Sequence, residues 1–391
     1  MPLDLKRLIK EIGRGAHGAR DLGEADAHAL YAAMLDGEVP DLELGAISLA
    51  LRIKGESPGE LAGFHRAIAE RAQRIAVDPK RGTAVCLPSY NGARKLPNLL
   101  PLLALILERA GVPVVVHGLR EGYGRVTSAA VFAELGRMPC GSLADAADAL
   151  SGGQAVFVPV ELLSPGLARL ANLRARLGVR GSPHTLAKLL EPVDGPCLRV
   201  VSLTHPDYFD RMRGLFAASR GAALLMRGTE GEPVANARKA QQIEWLHDGV
   251  AEVIVPAAAA GENAPLPESI DAASTARWIE RALAGEVPIP VPIAEQAAAC
   301  LVATGRSSGM DEARAVLARA VRRPERTPAW TGARSIRPPM SQPVALSLVM
   351  PSAFAAARSY CRPGLIVHPL RRSRPAGDGR LAIRLEDEVE H

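Results

Sequence analysis

Arg94 and Lys95 follow a short apolar run, Ala84 to Leu87, and Arg120 and Arg125 follow a second, Pro113 to Val116. If both runs are parallel strands, these cations meet at the carboxyl edge of one sheet, where α/β proteins hold their ligands. Positive charges gathered at one edge favour a polyanion over a neutral metabolite; the alternative is scattered surface charge. Arg174 and Arg180 stand in a helical stretch with Arg169 and Arg176, some of which must face solvent. A guanidinium fork suits any planar anion, phosphate included. Arg14 and Arg20, in the glycine-rich run Gly13–Arg20, either reach phosphates from a flexible loop or belong to a solvated connector. Glu230 and Glu232 have a spacing that could hold a metal through water. His117 ends the second apolar run and reads better as a histidine satisfying local hydrogen bonds than as a base. No catalytic residue is assigned.

The elements that must position these residues can be read from period and caps. Asp21 and Glu24 have capping-box spacing ahead of an apolar stripe that stops at Gly37 and Pro40. A second helix carries Leu44, Ile47 and Leu51. Ser57-Pro58-Gly59-Glu60 then supplies an N-cap, a first-turn proline and a third-position carboxylate for a third helix. A helical bundle this short cannot bury all its apolar faces alone and needs the next domain or a second subunit. From Ala84 the pattern changes to strand, helix (Leu96 to Ala110) and strand, a βαβ unit that implies a parallel sheet. Further strands are expected at 155–158, 198–203, 222–226 and 252–255. Trp245 and Trp278 lie in helix-like stretches and read as core.

The chain of 391 residues has 48% hydrophobic and 23% charged residues, ordinary for a globular protein of two domains or more. No apolar run is long enough to span a membrane and the amino-terminal residues do not read as a signal peptide. Five widely spaced cysteines without a Cys-x-x-Cys fit reduced thiols in a cytoplasmic protein. The net charge of +5 is unevenly spread: residues 322–391 hold 12 basic and 6 acidic side chains, which leaves 35 against 36 for the body. Within the body, residues 80–133 and 165–220 are basic. The Arg/Pro-rich segment 322–391 reads as a disordered tail, or else as an electrostatic arm for nucleic acid. Aromatics, at 4%, are too few for a base-stacking platform.

The segment Asp36–Arg71 resembles the amino-terminal helical signature shared by anthranilate phosphoribosyltransferases and pyrimidine nucleoside phosphorylases, and the likeness continues to about residue 320. The resemblance implies a helical dimerisation domain and a phosphoribosyltransferase-like α/β domain. Active members carry Gly-Thr-Gly-Gly-Asp after the first strand, where bare backbone amides cradle a pyrophosphate. Here the same place reads Pro88-Ser89-Tyr90-Asn91-Gly92-Ala93-Arg94-Lys95. Of the family's Lys-His-Gly-Asn-Arg, this chain keeps His117, Gly118 and Arg120. The adjacent Asp-Glu magnesium pair becomes Glu230 and Glu232. Arg174 falls on the family's arginine for the anthranilate carboxylate and Arg180 on the arginine before Thr-x-Phe-Asn, here Gly181-Ser182-Pro183-His184. Three stretches, Lys10–Leu22, Ser89–Leu99 and Arg227–Asn236, resemble the YbiB-type branch of the family, which implies a homodimer that binds nucleic acid with little sequence preference.

The expectation is therefore an α/β protein: a small helical dimerisation domain (1–79), a larger α/β domain with a mostly parallel central sheet (80–321), and the basic tail (322–391). Residues 165–190 are expected to pack near the helical domain. The expected partners are DNA or RNA and a second copy of the chain, with no membrane and no cofactor. Phosphate contacts are expected from Arg94, Lys95, Arg120, Arg125, Arg174, Arg180, Arg14 and Arg20. The alternative is a phosphoribosyl or glycosyl transferase acting on an unidentified acceptor, with phosphoribosyl pyrophosphate as substrate and Mg2+ at Glu230 and Glu232.

Overall fold

The computed structural model describes residues 3–15, 17–258 and 265–322. The segment from 323 onward, including nearly all of the basic tail and Cys361, lies outside the described residues.

The chain opens with four helices, Leu5–Ile12, Glu24–Asp36, Asp41–Lys54 and Pro58–Ala69. The last begins with the capping box its sequence spells: Ser57 Oγ accepts the Glu60 amide and the Glu60 carboxylate accepts the Ser57 amide. The expected box at Asp21 and Glu24 does not form. That helix starts after Gly23 without a side-chain cap. The reason is Glu60: its buried carboxylate also takes the Leu22 amide at 3.0 Å and the Lys54 ammonium at 2.6 Å. Lys54 in turn draws Asp21 to 2.7 Å, away from the helix end.

A seven-stranded sheet follows: β1 (Ala84–Ser89), β2 (Val114–Gly118), β3 (Val156–Pro159), β4 (Cys197–Ser202), β5 (Ala223–Met226), β6 (Ile243–His247) and β7 (Val250–Val255). Its order is β3-β2-β1-β4-β5-β6-β7. The first five strands are parallel, while β6 and β7 turn back as an antiparallel hairpin. Strand β6 corrects the helical reading of Trp245. The signal was present in the sequence: Asp248-Gly249, both at positive φ (50° and 84°), is a hairpin turn. The expected helix from Leu96 is shorter and runs Leu100–Arg109. Its start is delayed because the Asn98 side chain accepts the Leu100 amide and Pro101 suits a first turn.

One face of the sheet is covered by Leu100–Arg109, Ala272–Leu283, Val291–Ala303 and Met310–Val321, whose apolar sides join Val85, Leu87, Val116 and Leu224 in one core. On the other face a second core mixes Leu30, Ile47, Leu61 and Phe64 of the amino-terminal helices with Leu167, Leu170 and Leu186, and with Val201 and Leu225 of the sheet. Arg169 fastens the two parts, its guanidinium donating to the Met34 carbonyl at 2.6 Å. Among the described residues no helix is long and apolar enough to cross a membrane.

Candidate functional site

A cleft of about 800 Å3 lies beside the carboxyl ends of the central strands. In the order β2-β1-β4-β5 the chain reverses its winding between β1 and β4, and the ends of adjacent strands diverge there. The walls come from the loop after β1, the turn after β5, residues 203–205 after β4, the short helix Ser182–Leu186 and the end of helix Asp41–Lys54. Eight lysines and arginines line it, Arg52, Lys54, Arg94, Lys95, Arg125, Arg180, Lys188 and Arg211, against the acidic side chains of Glu56, Asp207 and Glu230.

The rewritten loop after β1 still gathers its backbone amides, but the chain's own carboxylates fill them. Glu232, almost fully buried, accepts the amides of Asn91 at 2.7 Å and Gly92 at 2.8 Å and the Ser89 hydroxyl at 2.6 Å. Glu230 accepts the amides of Arg94, Lys95 and Leu96 at 3.2, 2.8 and 3.0 Å. Burial works against the Glu230 charge, but the Lys95, Leu96 and Arg94 amides and the Arg125 charge outweigh it and hold its carboxyl below the ordinary range. Glu230 does this from a left-handed backbone, φ 51°, that costs a non-glycine residue on the order of 1 kcal/mol or more. Gly231 beside it, φ 88°, has no room for a side chain, since a Cβ would strike the side-chain nitrogen Nδ2 of Asn91. Tyr90 does not crowd the cleft. It is buried beneath the loop with its hydroxyl 2.9 Å from His117 Nδ1.

As placed, Glu230 and Glu232 do not fit a magnesium ion. Their oxygens are turned to amides and hydroxyls, and no group of three or more His, Cys, Asp or Glu among the described residues could hold a metal.

Arg94, Lys95, Arg125 and Arg180 meet in the cleft. The Arg94 and Lys95 side chains are exposed. Arg180 donates to the Asn91 side chain at 2.7 Å and to the Asn91 carbonyl at 3.0 Å, both neutral. Arg125 lies 3.7 Å from the Glu230 carboxylate. Burial, then the charges of Arg125 and Arg174, push the Arg180 guanidinium down to about 10. Burial and the neighbouring Arg94 lower Arg125 in the same sense. These cations repel one another and are short of counter-charge.

The other sequence candidates sit elsewhere. Arg174 packs over the Tyr123 ring at 4.8 Å, near enough to repel Arg180 but outside the cleft lining. Arg120 is exposed and also outside the lining. Arg14 and Arg20 both turn to Glu11, at 3.0 and 3.7 Å. His117 is core: fully buried, its pKa pushed down to about 3 by burial.

Residues that sequence reasoning missed include Lys188, Ser182 and His184. Lys188 is buried and donates to the carbonyls of Ser202 at 2.7 Å and Gly231 at 3.1 Å, tying the turn that carries Glu230 to β4. A lysine amid the apolar run Leu186 to Leu190 was the available signal. Ser182 and His184 line the cleft from the helix Ser182–Leu186, and sequence offered only their departure from a motif.

Comparison with known proteins agrees with this geometry. Residues 6–72 match the model of the glycosyl transferase family, helical bundle domain. The chain is 43% identical over 311 residues to the uncharacterized protein YbiB of Escherichia coli (strain K12), spanning 79% of this chain and 97% of that one. It is 27% identical over 306 residues to the anthranilate phosphoribosyltransferase of Novosphingobium aromaticivorans, spanning 74% and 89% of the two chains. The crystal structure of anthranilate phosphoribosyltransferase from Thermus thermophilus superposes with a TM-score of 0.64 at 23% identity, covering 82% of this chain and 95% of that one, a likeness of fold. The helical bundle, the parallel sheet and the altered loop after β1 thus have one explanation: the chain belongs to the anthranilate phosphoribosyltransferase family, in its YbiB-type branch.

Proposed function

We propose that this protein is a cytoplasmic homodimer that binds nucleic acid with little sequence preference. The observation that carries the reading is the cluster of Arg94, Lys95, Arg125 and Arg180 in one cleft, the first two exposed and the last two partly buried, with Arg94, Arg125 and Arg180 repelling one another. Held cations of this kind favour phosphates and give no base discrimination by charge alone. The filling of the loop amides by Glu230 and Glu232 speaks against the family's pyrophosphate chemistry in this chain.

The dimer rests on the helix Asp41–Lys54. Its Leu42, Leu49 and Ile53 are 82%, 41% and 67% exposed, and their spacing puts them on one face. Ile53 also borders the cleft, so a second copy on that face extends the basic surface across both protomers.

Fluorescence anisotropy with DNA and RNA across a salt series tests this, on the full chain and on residues 1–321. Four phosphate contacts per protomer give a slope of about −3 to −4 in log K against log salt. A truncated body without affinity at low salt overturns the cleft as the binding site and leaves only the tail.

The family fold favours a second reading, a phosphoribosyl or glycosyl transferase. Calorimetric titration with phosphoribosyl pyrophosphate and Mg2+ decides it: micromolar binding overturns the reading preferred here.

A further inference from the structure

Of the large hydrophobic side chains left exposed among the described residues, Tyr123 is the one aromatic, at 38%. It stands in the loop after β2 at φ 50°, a left-handed backbone that a bulky residue seldom adopts. Such strain persists only where the surroundings hold it. Here the Tyr123 hydroxyl donates to the Asn172 side-chain oxygen at 3.2 Å, and the Arg174 guanidinium lies 4.8 Å over the ring centre. The Arg125 amide closes the turn onto the Gly122 carbonyl at 3.2 Å. This loop is tied in turn to the loop after β1. Ala93 and Val126 exchange backbone hydrogen bonds at 2.9 and 2.8 Å, and Arg125 donates to the Gly92 carbonyl at 3.2 Å. The ring is thereby fixed two residues from Arg125 of the cleft wall, on a loop fastened to the one that carries Arg94 and Lys95.

We propose that Tyr123, backed by Arg174, is a stacking platform for one unpaired base of a strand whose phosphates lie on the neighbouring cations. This rests on the nucleic-acid reading and deepens it: the ligand is single-stranded at this point, since a base inside a duplex has both faces covered.

The chemistry of the groups selects the ligand. Every base has a flat π-face, so stacking on an aromatic ring tolerates any sequence, as the nucleic-acid reading requires. One face of Tyr123 is under Arg174 and the other is the face offered to the base. The anchors at Asn172 and Arg174 restrict the ring beforehand, so ordering it on binding costs little. Arg174 also belongs to the positive field of the cleft, since its charge acts on both Arg125 and Arg180. A neutral planar ligand meets the ring but not the cations, and a free phosphate meets the cations but not the ring. A nucleotide unit meets both. With 4% aromatics the chain has no row of such rings, but one ring suffices for one base.

The test compares two probes on the full chain by anisotropy: a thymine 12-mer and a 12-mer of abasic units with the same number of phosphates. The phosphate contribution, including any from the tail, is common to both. The base-bearing strand is expected to bind about tenfold tighter, from one stacked base. Tyr123→Leu, which keeps an apolar side chain without a π-face, is expected to bring that ratio below about twofold, and Tyr123→Phe to keep it. Irradiation of the unaltered chain with a 5-bromouracil-substituted strand is expected to crosslink the peptide that contains Tyr123. Equal affinity for the two strands overturns the platform while leaving the nucleic-acid reading intact. A ratio that survives Tyr123→Leu, or crosslinks only to other peptides, also overturns it. A ratio lost as fully in Tyr123→Phe overturns stacking in favour of a contact with the hydroxyl. No binding of either probe overturns both readings. Thymidine 5′-monophosphate is expected to displace the strand only at millimolar concentration; displacement at micromolar concentration overturns the assignment to a strand in favour of the free nucleotide.

Discussion

The Glu230 carboxylate accepts the backbone amide of Lys95 at 2.8 Å, and the amides of Arg94 and Leu96 converge on the same group. A side chain from the turn after β5 thus occupies the amide concavity after β1, and it stands where an anion from solution would otherwise go.

Removing that carboxylate should open the concavity. Glu230→Ala and Glu230→Gly are expected to gain binding of inorganic pyrophosphate, read by calorimetry, where the unaltered chain shows none at the same concentration. Because Glu230 sits at φ 51°, the glycine variant should be more stable than the alanine variant by about 1 kcal/mol in urea unfolding. No gain of binding in either variant would show that the amides are held closed by the loop itself.

Glu232 anchors the first half of the same loop from a buried position, through Ser89, Asn91 and Gly92. Glu232→Ala leaves these donors unpaired and should cost about 2–4 kcal/mol of stability. Hydrogen exchange at the Asn91 and Gly92 amides should accelerate more than at the Lys95 amide.

Lys188 makes stability depend on pH in a definite sense. Burial, opposed by Glu232 and helped by Arg180, lowers its pKa to about 8, against the 10.5 of an ordinary lysine. Between these values the unfolded chain binds more protons than the folded one, so stability should rise as pH rises from about 8 to about 10.5. The rise is roughly 3 kcal/mol if nothing else titrates. Denaturant titrations of the chain and of Lys188→Met, compared over that window, check it: the variant should lose this component of the slope.

Arg125→Ala and Arg180→Ala should each weaken nucleic-acid binding across all sequences alike, and each should reduce the steepness of the salt slope by about 0.9. Arg14→Ala, at a residue tied to Glu11, should change the slope less than either. A larger effect at Arg14 would move the interface to the glycine-rich run.

The apolar face of helix Asp41–Lys54 predicts the assembly state. Leu49→Glu and Ile53→Glu place a charge on that face and should convert a dimer into a monomer in sedimentation equilibrium. A monomeric unaltered chain would remove the dimer from the proposal.

What the sequence determined by itself is local or periodic. The Ser57–Glu60 cap, the two strands read at 84–87 and 113–116, and the grouping of Arg94, Lys95 and Arg125 at one sheet edge follow from residue type and spacing, because caps and strand period act over a few residues and βαβ handedness within one strand–helix–strand unit. What only the tertiary structure decided depends on residues far apart in the chain. Glu230 lies 135 positions from Lys95, and no spacing rule tells whether its carboxylate meets a metal or a backbone amide. The same holds for Lys188, whose partners are the carbonyls of Ser202 and Gly231, 14 and 43 positions away. The rewritten loop announced in the sequence that the pyrophosphate cradle had changed; the fold decided that its amides were kept and filled from within.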